Sequence, residues 1–267
     1  TDLAGNAFSG AIPTLKVTSS NSINYQVEPG TTLALEDILG DNLNNIASDI
    51  TNINIDIPAN ATVTWKTGAQ HGSTPLIPEG ATVETVTFSG GGTFKAIGDG
   101  VGPIRAANGG KLVFENITII DESVSYKEDS WEFGYLEFEG EVEFINSNFE
   151  SAVMFDGDKA SFTGCTFNSN KWNEYAAWIS NGIASFENCT FKGSRGIKIH
   201  EAYGSDVTSV TIDNSTFGPL SWKPGVAIGD LDETTTVTIK NSTFNKTQPG
   251  DQSNYIYESD TPVDQFK

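Results

Sequence analysis

ASFENCTFK, residues 184–192, is one copy of a nine-residue phrase that decides how this chain folds. The phrase returns as LVFENITII at 112–120, VEFINSNFE at 142–150, ASFTGCTFN at 160–168, VTIDNSTFG at 210–218 and VTIKNSTFN at 237–245. A looser copy, VTFSGGGTF, starts at Val86 and carries one extra residue in its glycine stretch. Anchored on the third residue, the copies at Phe88, Phe114, Phe144, Phe162, Phe186, Ile212 and Ile239 follow one another at steps of 26, 30, 18, 24, 26 and 27 residues. Repeats of roughly 20 to 50 residues mark a solenoid. Here the spacing varies and the phrase does not. The variable part is therefore loop and the constant part strand, unlike a strict helical repeat.

Inside the phrase, apolar residues alternate with polar ones, so one side of each strand faces in and the other out. Asn or Gly then stands at a fixed place: Asn116, Asn146, Gly164, Asn188, Asn214 and Asn241. These residues tolerate left-handed backbone torsions, so the place is a bend between two strands. Beyond it lie Ser147, Cys165, Cys189, Ser215 and Ser242, then a column of Phe149, Phe167, Phe191, Phe217 and Phe244 preceded by Ile119. A third short strand follows, at Leu136, Val153, Ala177, Ile197 and Val226. The expected class is all-β, a parallel solenoid with three short strands per rung.

The Asn column, the Phe column and the G-I-x-I or A-x-x-I third strand resemble the right-handed parallel β-helix superfamily that includes pectate lyases and polygalacturonases. The resemblance covers residues 86–244. It implies the fold and hardly an activity, because one fold hosts many functions. Arg195-Gly196-Ile197-Lys198 is distantly similar to the basic motif of polygalacturonases, with a glycine interrupting it. Their paired-Asp and G-H-G motifs are missing from this sequence.

A single β-helix domain over 1–267 is expected, with cap and first rung in 1–57, rungs in 58–244 and a final rung or tail in 245–267. Solenoid ends expose strand edges and need caps. Short helices over 32–39 and 41–50 would supply one, since Leu35, Ile38 and Leu39 share a face and Leu43, Ile46, Ala47 and Ile50 recur at helical spacing. The first strand is expected at 53–57, and a last one around Tyr255, Ile256 and Tyr257. Unequal loops at 121–133, 168–175 and 218–223 leave one corner, each with a tryptophan: Trp131, Trp172 and Trp222.

Asp and Glu total 35 against 15 Lys and Arg, for a net charge of -20. Such a surface repels nucleic acid, which binds through basic residues on phosphates. It also repels anionic membranes and acidic polysaccharides unless a cation bridges them. No apolar run approaches the ~20 residues of a membrane span. The chain begins at Thr1 without an initiator Met or an apolar leader, as a processed or truncated secreted protein would. Low Lys, Arg and Cys content suits a bacterial protein outside the cell or on its surface, expected as a monomer.

The third strand's outward column is Glu137, Met154, Trp178, Lys198 and Ala227, with Glu139, Asp156, Ser180, His200 and Gly229 just past it. With Arg195, Glu201 and Glu174 they form a mixed charged patch beside tryptophan. An aromatic ring flanked by polar groups suits a sugar; equally, the rings shield sheet edges and the charges are a solvated face. The ligand-binding set is thus Trp178, Lys198, His200, Glu201, Arg195, Trp172, Trp131 and Trp222. Cleavage of a polysaccharide would need two carboxylates about a glycosidic bond, or acidic Ca²⁺ ligands and a base. Lys198, His200, Asp156 and Glu137 are the residues open to such roles. Asp230, Asp232 and Glu233 are candidate Ca²⁺ ligands, or a solvated acidic turn; no other cofactor is expected, and neither His71 nor His200 is assigned a metal. Cys165 and Cys189 should stack inward, as a disulfide or as part of a ladder of small residues. The N-x-S/T pattern at Asn116, Asn188, Asn214 and Asn241 follows from the bend, where a ladder of hydrogen-bonded Asn at a buried corner is expected in place of glycans.

Three functions follow. The first is a secreted or wall-attached protein that binds glycan or another surface partner without catalysis, in the manner of an adhesin. The second is a polysaccharide lyase or glycoside hydrolase. The third is a structural stalk.

Overall fold

The computed structural model describes residues 14–19, 21–39, 47–67, 75–99, 102–124, 135–169, 171, 174–201, 205–221, 225–229, 231–245 and 256–259. They wind into a parallel solenoid with three sheets. In the first sheet Ser22–Gln26, Asn52–Asp56, Thr85–Ser89, Lys111–Glu115, Glu141–Ile145, Lys159–Thr163, Gly182–Glu187, Val207–Asp213 and Thr236–Lys240 pair in that order. The second sheet begins with Thr32–Ala34 and Thr62–Thr67 and ends with Thr216–Leu220 and Thr243–Phe244. The third contains Ile104–Arg105, Leu136–Glu139, Val153–Phe155, Ala177–Ile179, Ile197–His200, Val226–Gly229 and Ile256–Ser259. Among the described residues no helix is long and apolar enough to cross a membrane.

The solenoid reaches further toward the N-terminus than the repeat indicates. Ser22–Gln26 already pairs in register with Asn52–Asp56, and Thr14–Ser19 folds back on it antiparallel. Of the two expected cap helices, the first forms only over Leu35–Leu39, burying Leu35, Ile38 and Leu39, because Thr32–Ala34, expected in the same helix, pairs as a strand with Thr62–Thr67. The second falls largely on residues 40–46, outside the described set; residues 47–50 are not helical.

The core is a set of aromatic ladders. Rings of Phe149, Phe167, Phe191, Phe217 and Phe244 stack at 4.5 to 4.6 Å with planes within 8° of parallel. A second ladder of Phe88, Phe114, Phe144, Phe162 and Phe186 runs beside it at 4.5 to 5.3 Å. The two meet edge-on or tilted, as Phe144 and Phe149 do at 60°. Offset stacks within a ladder and tilted contacts between ladders are the arrangements a ring quadrupole favours.

The bend is left-handed as its residues require: Asn116, Asn146, Asn188, Asn214 and Asn241 have φ between 48° and 56°. The corner is not buried, however; all five side chains face solvent. The amide ladder is partial, with Asn214 donating to Asn188 at 2.5 Å while Asn241 donates to Asp213 at 2.9 Å. Gly164 fits the one rung where a Cβ would stand 2.4 Å from the Asn146 Oδ1. The inward ladder is satisfied within the protein. Ser147 Oγ donates to the carbonyls of Phe114 and Ile145, and the Cys165 and Cys189 thiols donate to the same kinds of carbonyl.

Candidate functional site

Sheet pairing places Glu137, Met154, Trp178, Lys198 and Ala227 in one column on the third sheet, each the in-register neighbour of the next. On these short strands the residues on either side, such as Ile197 and Ile199 around Lys198, are fully buried and take the inner face. The alternate residues therefore emerge on one outer surface. Met154 and Ala227 are nevertheless only 7% and 8% exposed, so this outer face is partly covered.

Trp178 is anchored on three sides. Lys198 Nζ lies 3.7 Å from its ring centre. The Tyr135 ring meets it edge-on at 5.3 Å, and its Nε1 donates to the His200 carbonyl at 2.8 Å. Trp178 is thus a wall of the site, with one face already occupied by an ammonium. Arg195 lies 5.3 Å from the Tyr175 ring centre, and its Nε is buried with no hydrogen-bond partner among the described residues. Tyr135 Oη accepts from the Tyr175 backbone N–H at 3.0 Å, and burial together with the neighbouring Glu174 carboxylate raises the Tyr135 hydroxyl well above its ordinary range.

Beside this wall is a small open hollow of about 130 Å³ lined by Tyr175, Lys198, Ile199, His200, Ala227, Ile228 and Gly229. Its lining is mostly apolar, with Lys198 and His200 the residues in it that carry basic side-chain groups. His200 Nδ1 is 2.7 Å from the Glu201 carbonyl, which fixes the imidazole's orientation.

A separate group of charges lies toward the other end of the column. Burial, with the nearby Glu139 and Asp156 carboxylates, pushes Glu137 up to about 7. Glu139 is also raised by burial, against the opposing pull of Arg105, whose guanidinium it meets at 3.2 Å. Asp156 accepts from Ser205 Oγ at 3.0 Å.

The site residues expected from the sequence therefore divide. Lys198 and His200 line the hollow and meet Trp178, while Arg195 reaches it only through Tyr175, whose ring it covers. Glu137 and Asp156 gather with Glu139 and Arg105 elsewhere on the same face. Glu201 turns away, accepting from the Val207 N–H at 3.2 Å, and its carboxylate lies within 4.8 Å of those of Asp206 and Asp232. Asp232 thus meets Glu201 and Asp206, and Glu233 is not in the group; Asp230 lies outside the described residues, as do Trp131, Trp172 and Trp222. The sequence reading missed Tyr135 and Tyr175 as site residues. Both stand just before a third-sheet strand, at the exits of the long loops, and that position is the signal that marks them.

A family model described as "right handed beta helix region" matches residues 104–262, more than half of the chain. No curated protein and no solved structure gives a significant match to the sequence.

Proposed function

Since the chain belongs to the right-handed β-helix family, we propose that it acts outside the cell as a glycan-binding protein, without catalysis, through the outer face of its third sheet. The observation that carries this reading is the hollow lined by Tyr175, Ala227, Ile228 and Gly229 together with Lys198 and His200, next to the Trp178 ring that Lys198 covers. A sugar ring has the matching character, an apolar C–H face and a girdle of hydroxyls. The hollow is smaller than the ~300–1,000 Å³ of an enclosing ligand pocket. It therefore takes one ring of a longer chain lying along the open face.

Separation along the column argues against one pairing of the residues nominated for catalysis, Lys198 as base with Glu137 as acid. Lys198 and Glu137 are three rungs apart, about 14 Å at ~4.8 Å per rung. Carboxyl pairs that act on one glycosidic bond stand no more than ~9.5 Å apart. A base at Lys198 and an acid at Glu137 would miss the same bond.

The second reading, a lyase or hydrolase, draws on one observation: Glu137 holds its proton up to about 7 beside Asp156 and Glu139. Raised carboxyls beside ionised ones are a mark of acid–base sites. A glycan array and a polysaccharide-cleavage screen on the same preparation separate the two. Retention of neutral oligosaccharides that is lost in Lys198→Ala, with no cleavage by wild type, supports binding. Cleavage that disappears in Glu137→Gln replaces it with the enzyme.

A further inference from the structure

We propose that Cys165 and Cys189 are a cross-linking site, closing into a rung-to-rung disulfide when the chain folds in the presence of a small disulfide oxidant. They are the only two cysteines in 267 residues. They occupy the same position in consecutive rungs, bracketed by the register pairs Thr163 with Glu187 and Thr166 with Thr190. The Thr190 N–H donates to the Cys165 carbonyl at 2.8 Å, which fixes the two backbones side by side. Both side chains are 1% exposed, so both point into the interior. The thiols contact each other, and this contact, with burial, raises Cys189. Neighbouring strands lie about 4.8 Å apart, inside the ~4.4–6.8 Å between α-carbons that a disulfide tolerates.

The rest of the ladder is Ile117 at one end and serine at Ser147, Ser215 and Ser242. Serine already satisfies the local hydrogen bonding, as when Ser215 Oγ donates to the Asp213 carbonyl and accepts from the Cys189 N–H. Serine and the buried Ile117 both fit this column, so packing does not require sulfur; what only two adjacent cysteines add is the capacity for a covalent link. It would join the rung of Trp178 to the rung of Lys198 and hold the two residues of that cation–ring pair in register.

The chemistry balances as thiol–disulfide exchange. One cysteine thiolate attacks the small disulfide and releases one small thiol. The second cysteine then attacks the mixed disulfide and releases the other. The protein loses two hydrogens, and the oxidant is reduced to two thiols. Buried thiols are shielded in the finished fold, so closure accompanies folding.

The test is to refold the full chain from denaturant in mixed reduced and oxidised glutathione, and separately in reductant alone. Free thiols are then alkylated under denaturing conditions. The expected product is a monomer lighter by two hydrogens, without alkylated cysteine. A non-reduced digest should join the peptides of Cys165 and Cys189, and the melting temperature should fall on reduction. The double variant Cys165→Ser/Cys189→Ser, built with the ladder's own residue, should refold in both buffers with one melting temperature. A folded product with two free thiols, glutathione adducts or linked dimers would overturn the proposal, whether or not glycan binding is found.

Discussion

Lys198 Nζ stands 3.7 Å over the ring centre of Trp178, although the two residues belong to successive rungs of the solenoid. A cation over an indole face contributes about 0.5–1 kcal/mol when partly exposed and more when desolvated. This contact sets the orientation of both residues before any ligand arrives. It also reserves one face of the ring, so a sugar has to approach the pair at the hollow.

Lys198→Ala should alter the Trp178 emission while leaving the far-ultraviolet circular dichroism of the strands unchanged. Glycan affinity should weaken roughly tenfold, equal to ~1.4 kcal/mol. Fluorescence and titration calorimetry on the same variant check both. An unchanged affinity would move the binding surface away from the hollow.

Glu137 governs a pH effect. Its carboxyl is raised from 4.5 to about 7 in the folded protein, so the folded state holds its proton more tightly than the unfolded one. The stability contributed is complete below about 4.5 and is lost as pH rises to about 7. Across that window the change is on the order of 3 kcal/mol. Glu137→Gln should remove this slope, as read from urea denaturation midpoints at a series of pH values.

Phe191 touches Phe167, Phe186 and Phe217 and is fully buried. Phe191→Ala should cost about 3–5 kcal/mol by lost burial and the cavity left behind. Phe191→Leu should cost markedly less. Equilibrium denaturation ranks the two.

Asn188 holds φ at 56° on an exposed corner. Asn188→Ala forces an alanine into that left-handed backbone, at about 1–2 kcal/mol, and removes the acceptor used by Asn214. Asn188→Gly keeps the torsion and loses only the side-chain hydrogen bonds to Asn214 and Glu187, so it should be the milder change. If both variants denature alike, backbone torsion is not what the asparagine supplies.

Much of the fold was legible because the phrase carries its own register. Once Phe162 is aligned on Phe186, the pairing of Trp178 with Lys198 follows from strand periodicity. Other features depend on groups the periodicity does not describe. The corner asparagines were expected to be buried because a repeated residue looks structural; their role is torsional, and torsion is satisfied equally well in water. Met154 lies on the outer face, between Glu137 and Trp178 in register, and is still buried. The convergence of Glu201, Asp206 and Asp232 joins residues outside the nine-residue phrase, which its register does not align. Ser22–Gln26 was hidden because it carries the alternation without the Asn bend.

The rung pairing has a further consequence, for growth. In each parallel sheet a strand bonds only to the one before and the one after. Stability in such a stack is close to a sum over units and their junctions. The molecule thus behaves as an extensible ruler. Duplicating one rung, such as residues 141–158, should lengthen the body by about 4.8 Å, carry the Trp178 and Lys198 face outward unchanged, and leave every other junction as it was.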